Sequence, residues 1–288
     1  MAKLKNYKIN LIDILKDIYK NKENHSSNTK YFINQKKKIE KKIIKKKFDL
    51  LSIKFSRNLG SIKLRFFEMG KLNPSYLLGF NELIIFSFYL FNKKKYKNFV
   101  DVGANIGLHS IFFNKLHLRV KSFEPDEYHF REMKRNISLN NTKKIKLHKF
   151  AVSDKNDKRL FVRVCDNTTG SHIIGKKKDP YGKLEKFIVK TVNINKYLNE
   201  NSLVKIDAEG SEVDILKSIK KDKFIKSDFI LEINNKKNAS EIFAISKKNK
   251  VNIFSQKIGW KKVGKLKDLP IHHTEGSIII TNENNLDW

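Results

Sequence analysis

With 288 residues, 61 Lys and Arg against 30 Asp and Glu, and a formal net charge of +31, the chain has room for one large domain, or one domain with an appendage. Its 40% hydrophobic content, with 21 Phe and 9 Tyr, excludes global disorder. The single cysteine, Cys165, excludes an intramolecular disulfide and a cysteine-based zinc site, fits a reducing compartment, and reads as a small packed residue.

Roughly the first 45 residues form a lysine-rich stretch. Within it Ile9–Tyr19 predicts an amphipathic helix, with Ile9, Leu11, Ile12, Ile14, Leu15 and Ile18 clustered towards one face. Asn21–Lys30 reads as a polar break and Lys36–Lys47 as a solvated basic helix or tail. No long uncharged apolar core and no small-residue cleavage site stand at the N-terminus, which disfavours a secretory signal. From Phe48 to Gly79 apolar and basic residues alternate (Leu51, Ile53, Phe55, then Ile62, Leu64, Phe66), the pattern of a small hairpin or a cap. Residues 1–78 are therefore expected to be a lysine-rich extension or cap ahead of a domain at 79–288.

From Glu82 onward the pattern changes to alternating helix and strand. A helix (Glu82–Phe91) leads to a strand (Asn98–Val102), a glycine turn, and a helix beginning near Gly107. A strand (Val120–Phe123), a helix (Asp126–Asn140) and a strand (Lys146–Ala151) follow. After a polar excursion with short strands near Leu160–Val164 and Phe187–Thr191 come a short helix after Asn193, a strand (Leu203–Asp207) and a helix from Ser211. A strand (Phe229–Ile233), a helix (Ala239–Lys248) and strands at Val251–Ser255 and Ser277–Thr281 close the pattern. Such alternation predicts an α/β fold: a doubly wound, mainly parallel seven-stranded sheet covered on both faces. The longest apolar run, Leu83–Phe91 broken by Ser87, is too short to cross a bilayer. A cytoplasmic protein is expected, whose lysines suit contact with an anionic membrane surface.

The strongest local signal is the run from Asn98 to His109, in which an apolar strand enters Gly103, Ala104 and Gly107 and then a helix. Small residues let the backbone turn sharply and approach a ligand that a Cβ would block. The ligand then rests near the helix N-terminus, in the crevice at the carboxyl ends of the strands. The next strand ends in Phe123-Glu124-Pro125, where an acid can take both ribose hydroxyls of a nucleoside. The loop lacks the G-x-G-x-x-G pattern of dinucleotide sites, which disfavours a nicotinamide dehydrogenase and suits a cofactor without a pyrophosphate. S-adenosylmethionine leads: its amino-acid tail suits the glycine loop, its ribose suits Glu124, and Asp101 can reach its amino group directly or through water.

These residues carry a likeness. FVDVGANIGLHS, SFEPD, RNISLNN, FAVSD, VKIDAEGSEVDIL and FILEIN, in this order between Gly79 and Thr281, resemble the FkbM-type methyltransferase family. The resemblance implies a Rossmann-like class I methyltransferase core that binds S-adenosylmethionine and methylates oxygen on glycans, polyketides or other small acceptors. Carried over by motif, Asp101, Gly103, Asn105 and Gly107 hold the methionine end and Glu124 the ribose. Ala151 and Val152, with Asp154 nearby, fall where the adenine is lined. Glu209 and Glu212 of KIDAEGSE follow Asp207 on the acceptor side. Residues 1–78 lie outside the likeness, as a variable cap suited to acceptor choice.

A hydroxyl acceptor needs its proton removed as the new bond forms. Asp207 is the first candidate base, at the end of a central strand; Glu209 is second, and Glu232, at the end of the next strand, third. Lys205 can be buried there only if paired. Carboxylates at two adjacent strand ends also match an oxygen-ligated divalent metal, but Gly210 points to a loop shaped by its own backbone, so no metal is predicted. His109, His172, His272 and His273 are weaker candidates for the base, His109 reading as structural.

The charge suggests nucleic acid as a rival partner. Yet only seven of the 61 basic residues are arginine, so the lysine excess reads as coding bias of an AT-rich genome. The segment after the fourth strand lacks the Asn/Asp-Pro-Pro-aromatic motif of base methylation, and adjacent carboxylates repel a phosphate backbone. RNA ribose remains an alternative acceptor. A non-catalytic basic binding module on the same shell is the other, against which the intact Gly103–Gly107 loop and Glu124 count.

Overall fold

The structure, a computed structural model, describes residues 6–45, 47–177, 180, 182–286 and 288. Residues 1–5 and 46 of the lysine-rich stretch lie outside the described residues.

The N-terminal stretch differs from its expectation. Ile9 belongs to a strand, β1 (Asn6–Asn10), which is followed by α1 (Ile12–Lys20). Ile9 pairs with Ile53, and parallel pairing to a distant strand is a partner that helical periodicity cannot register. The basic run is the outer face of α2 (Lys30–Ile43), which Thr29 caps and which buries Phe32, Ile39 and Ile43. The hairpin is formed by β2 (Leu50–Lys54) and β3 (Ser61–Arg65), and with β1 it makes a three-stranded sheet.

Next come α3 (Phe80–Asn92), β4 (Asn98–Val102), α4 (Leu108–Lys115), β5 (Arg119–Phe123), α5 (Glu127–Leu139) and β6 (Ile145–His148). The strand expected at Lys146–Ala151 is two: β6 ends at His148, and β7 (Ala151–Ser153) enters a different sheet. The polar excursion supplies β8 (Asp157–Val164), β9 (His172–Ile173) and β10 (Leu184–Asn193), which with β7 form a four-stranded sheet in the order β7-β10-β8-β9. The chain continues through β11 (Ser202–Ile206), α6 (Glu212–Ser218), α7 (Lys221–Ile225), β12 (Ser227–Glu232) and α8 (Lys236–Asn249). It closes with β13 (Asn252–Ser255), β14 (Lys261–Lys262) and β15 (Ser277–Thr281).

The main sheet has eight strands, in the order β14-β13-β15-β12-β11-β4-β5-β6, rather than the expected seven. The additional one is a lysine pair turned back on β13 after Gly259 and Trp260, too short to show an alternating pattern. From β6 to β12 the strands are parallel, while β15 runs antiparallel to both β12 and β13. The order reverses between β4 and β11. Their neighbouring carboxyl ends therefore open a crevice at a topological switch point.

Alternation along each strand feeds two cores. Phe99 and Leu203 pack with α3, α4 and the N-terminal block, whereas Val100, Val102, Val204 and Ile206 pack towards α6 and α8. Leu11, Leu15 and Ile18 are fully buried in the first core, and each such side chain contributes about 1.5–3 kcal/mol on burial. A polar clasp ties the same block to the far end of the sheet. The Trp260 indole N–H donates to His25 Nδ1 (2.9 Å), which leaves the Nε2–H to donate to the Ile18 carbonyl (2.9 Å). The Gln256 amide donates to the His25 carbonyl (3.1 Å).

Burial lowers the His25 pKa from 6.5 to about 4. The unfolded chain takes this proton first, so the stability present above pH 6.5 is lost as pH falls towards 4. Between about pH 7 and pH 5 the wild type is expected to lose about 2 kcal/mol more than His25→Gln, measured by urea denaturation at each pH. Parallel curves would show that the ring is not held neutral.

Candidate active site

The β4–α4 turn is built on three left-handed residues, Gly103 (φ 77°), Asn105 (φ 51°) and Gly107 (φ 88°). At Gly103 the reason for glycine differs from the one read in the sequence. A Cβ there would lie 1.9 Å from the Asp207 carbonyl oxygen, so the neighbouring strand end, not a ligand, demands its absence. At Gly107 a Cβ would meet Met133 Cγ at 2.9 Å, in a φ that side chains avoid. The Gly103 and Ala104 N–H groups both donate to the Phe123 carbonyl, which pins the turn to the end of β5.

Glu124, 6% exposed, joins the two strand ends. Its Oε2 accepts from Asn105 N (2.8 Å) and its Oε1 from Asp126 N (2.9 Å), leaving each oxygen a further lone pair. Burial first, then the charges of Asp126 and Asp101, push its pKa up to about 8 against the pull of those two bonds. Asp101 is fully buried behind the turn; Ser110 Oγ donates to its Oδ2 (2.6 Å), and its Oδ1 has no partner among the described residues.

Between the strand ends and the four-stranded sheet lies a cleft of about 270 Å³. Gly103, Asn105, Glu124, Ala151 and Val152 line it, whereas Asp101, Ala104 and Gly107 lie behind its surface. Phe123 and Phe150 extend the apolar side next to Val152, and Thr168, Thr169 and Ser171 form a polar rim. These residues fit S-adenosylmethionine on two structural grounds. The Asn105 Oδ1 is buried without a partner among the described residues, and Glu124 keeps free lone pairs beside an apolar wall.

The other end of the cleft gathers Asp207, Glu209 and Glu232, together with Glu82 of α3. Asp207 directly follows β11, its N–H bonded to the Val102 carbonyl (3.0 Å), and its half-exposed carboxylate pairs with Lys205 Nζ at 2.9 Å. Lys205, 8% exposed, is thus buried and paired, as its position required. Burial works against its ammonium, but Asp207, Glu82 and Asp101 hold its pKa above the ordinary lysine value. Burial, with the charges of Asp207 and Glu82, pushes Glu232 up to about 8. Glu209, in a left-handed conformation (φ 48°) and ion-paired with Lys177, is pushed up to about 7 by burial and Asp207. Burial opposes the Glu82 carboxylate, yet the His109 ring 2.9 Å away, with Lys205, keeps its pKa below the usual value.

Glu212 does not face the cleft as its motif suggested. Its carboxylate turns inward to accept from Ala208 N (3.0 Å) and Gly210 N (3.0 Å), holding the loop after β11. None of the histidines singled out in the sequence lines the cleft: His109 stacks on Phe86, His172 is buried in β9, and His272 and His273 form an exposed pair. The histidine that does line it is His129, bonded to Thr168 Oγ1 at 2.7 Å and held neutral by burial, with a pKa of about 4. Nothing in its local sequence marks it. Glu82 does carry a signal, as the sole charge in the apolar helix Phe80–Asn92. Among the described residues no group of three or more His, Cys, Asp or Glu side chains could hold a metal ion.

Hydrogen bonds from a ribose at Glu124 would favour its ionised form, and its raised pKa would then become a pH dependence of binding. S-adenosylhomocysteine is expected to bind roughly tenfold more tightly as pH climbs from 6.5 through 8 in the wild type. Glu124→Gln should bind more weakly and without this rise, as titration calorimetry across that range would register. An identical pH profile in both proteins would remove Glu124 from the ribose.

Comparison with known proteins bears on the same residues. The family model described as Methyltransferase FkbM domain matches residues 101–250, just over half of the 288 residues. No curated protein matches the chain. Among solved structures, ribosomal protein L11 methylase from Lactobacillus delbrueckii subsp. bulgaricus is similar at 15% identity and TM-score 0.36, over 70% of this chain and 79% of that one. The N-terminal domain of human METTL16 in complex with SAH is similar at 13% identity and TM-score 0.36, over 71% of this chain and 70% of that one. Precorrin-6y C5,15-methyltransferase from Geobacter metallireducens GS-15 is similar at 11% identity and TM-score 0.34, over 67% of this chain and 85% of that one. By the family match, the chain belongs to the FkbM methyltransferases and is an S-adenosylmethionine-dependent methyltransferase.

Proposed function

We propose that the protein methylates a hydroxyl oxygen of a glycan or another small polyhydroxy acceptor. The observation that carries this reading is Glu232, a carboxyl at the acceptor end of the cleft with a pKa raised to about 8. A base poised near neutral pH suits removal of a hydroxyl proton as the carbon–oxygen bond forms.

The bound cofactor supplies an already activated methyl group, so the chain's residues mainly position the acceptor and exclude water. Glu124 holds the ribose, Gly103 and Asn105 the methionine end, and Ala151 and Val152 the adenine. Glu232 takes the acceptor proton, which reorders the preference that put Asp207 first. The reason is Lys205: its ammonium lies 2.9 Å from Asp207 Oδ2 and engages that carboxylate in an ion pair. Asp207 and Glu209 then orient neighbouring hydroxyls. Residues 1–78 serve as a cap that shapes acceptor choice, which Leu72, Tyr76 and Leu77 at the cleft wall support.

A phosphate-bearing acceptor such as RNA fits this cleft poorly. Six carboxylates line it (Glu82, Glu124, Asp126, Asp207, Glu209 and Glu232) and, among the described residues, no lysine or arginine does, in a chain with twice as many basic as acidic residues.

The test is transfer of radiolabelled methyl from S-adenosylmethionine to a panel of oligosaccharides, amines and RNA. Alkali-stable label on a hydroxyl acceptor is expected, with kcat reduced about 10²–10⁴-fold in Glu232→Gln and S-adenosylhomocysteine affinity unchanged. Label confined to amines or RNA would overturn the proposal.

A further inference from the structure

The carboxyl ends of the parallel strands form the cleft described above; their amino ends form a second concavity of opposite character. Four separate segments meet there: the turn at Asn58 and Leu59, the stretch after α3, the stretch after α4, and Lys144 just before β6. They enclose about 590 Å³. Lys93, Lys94, Lys97, Lys115, Arg119 and Lys144 line it, and among the described residues no acid does.

Compositional bias explains many lysines, but not this arrangement. Arg131, Arg135, Arg159 and Arg163, by contrast with Arg119, all sit in ion pairs. An acid close to this end of the sheet, Asp228, is taken by Lys95 and the Tyr96 hydroxyl. Among the described residues none of the six cations has an acidic partner. Like charges gathered in a concavity repel one another, and Lys115 among them has its pKa lowered by partial burial and by Lys63, a further cation outside the lining. A bound anion would relieve that repulsion.

We infer that this concavity is a binding site for a compact group carrying several phosphates, either a free oligophosphate or a phospholipid headgroup. Five of its six cations are lysines, point charges that approach phosphate oxygens from several directions, whereas planar bidentate recognition calls for arginine. The lining comes from four segments around one concavity, which suits a compact anion contacted from several sides. The site lies across the sheet from the cofactor cleft and is independent of the acceptor proposed above.

The test uses the full chain and sodium tripolyphosphate in titration calorimetry. Three proteins are compared: the wild type, Lys97→Glu with Arg119→Glu, and a control of equal charge change, Lys158→Glu with Lys190→Glu on the four-stranded sheet. S-adenosylhomocysteine affinity, expected to be the same in all three, verifies the fold. Stoichiometric binding at micromolar concentration is expected in the wild type and the control, weakened at least about tenfold in the Lys97/Arg119 variant. Sedimentation with vesicles containing phosphatidylinositol bisphosphate, whose headgroup carries several phosphates, separates the sources. Vesicle binding that the Lys97/Arg119 variant loses and tripolyphosphate displaces identifies a headgroup; tripolyphosphate binding without vesicle binding identifies a free oligophosphate. Absence of tripolyphosphate binding, equal weakening in both variants, or binding confined to RNA would overturn the inference.

Discussion

Gly103→Ala should lose about 3–5 kcal/mol of stability and with it the ability to hold S-adenosylhomocysteine. Two costs add. The residue sits at φ 77°, where an L side chain costs roughly 1–2 kcal/mol. The new methyl would also lie 1.9 Å from the Asp207 carbonyl oxygen, so β4 and β11 must part at the point where their ends frame the cleft. Gly60 isolates the second cost, because it shares a positive φ of 65° but a Cβ added there would meet nothing within 4 Å. Gly60→Ala should therefore lose only about 1 kcal/mol. Urea denaturation of both variants decides the matter: comparable losses would mean that the close approach of the two strands is not a constraint.

Lys205→Met is expected to show the second large effect, a loss of about 3–5 kcal/mol at pH 8. The methionine fills a similar volume but removes the ammonium that faces Asp207, Glu82 and Asp101. Its sign with pH follows from which groups titrate. Lys205 has a folded pKa raised above its unfolded value, so its contribution is fully present throughout pH 5–9 in the wild type. In the variant the stranded carboxylates acquire folded pKa values above their unfolded ones, and they destabilise the protein progressively as pH rises. The deficit should thus shrink towards pH 5. A deficit of the same size at pH 5 and pH 8 would assign the loss to packing instead of charge.

The sequence speaks most clearly where function and chain order coincide. The turn from Asp101 to Gly107, Glu124 at the end of β5, and Asp207 after β11 are each announced by an apolar strand running into small or acidic residues, and they do meet at one cleft. What stays hidden depends on partners distant in the chain. Ile9 reads as helical because its parallel partner, Ile53, is separated from it by two helices. The lysines of α2 mask Phe32, Ile39 and Ile43, which carry the helix into the core. His129 enters the site from α5, whose local pattern describes only its own packing, whereas Glu82 is marked as the sole charge of α3. Gly103 is legible as a position that excludes a side chain, but the atom responsible belongs to Asp207, at the end of a strand far along the chain.

The clasp of His25 with Gln256 and Trp260 closes loops of 231 and 235 residues. Contacts of that span are slow to form, because chain entropy is lost before the contact returns any stability. During synthesis His25 must therefore wait for these partners until residues 256–260 have been made, long after Ser87 of α3 can reach the Leu15 carbonyl. The clasp is then a late docking step, and conditions that slow translation should lengthen the interval in which the His25 ring stands without its Trp260 partner.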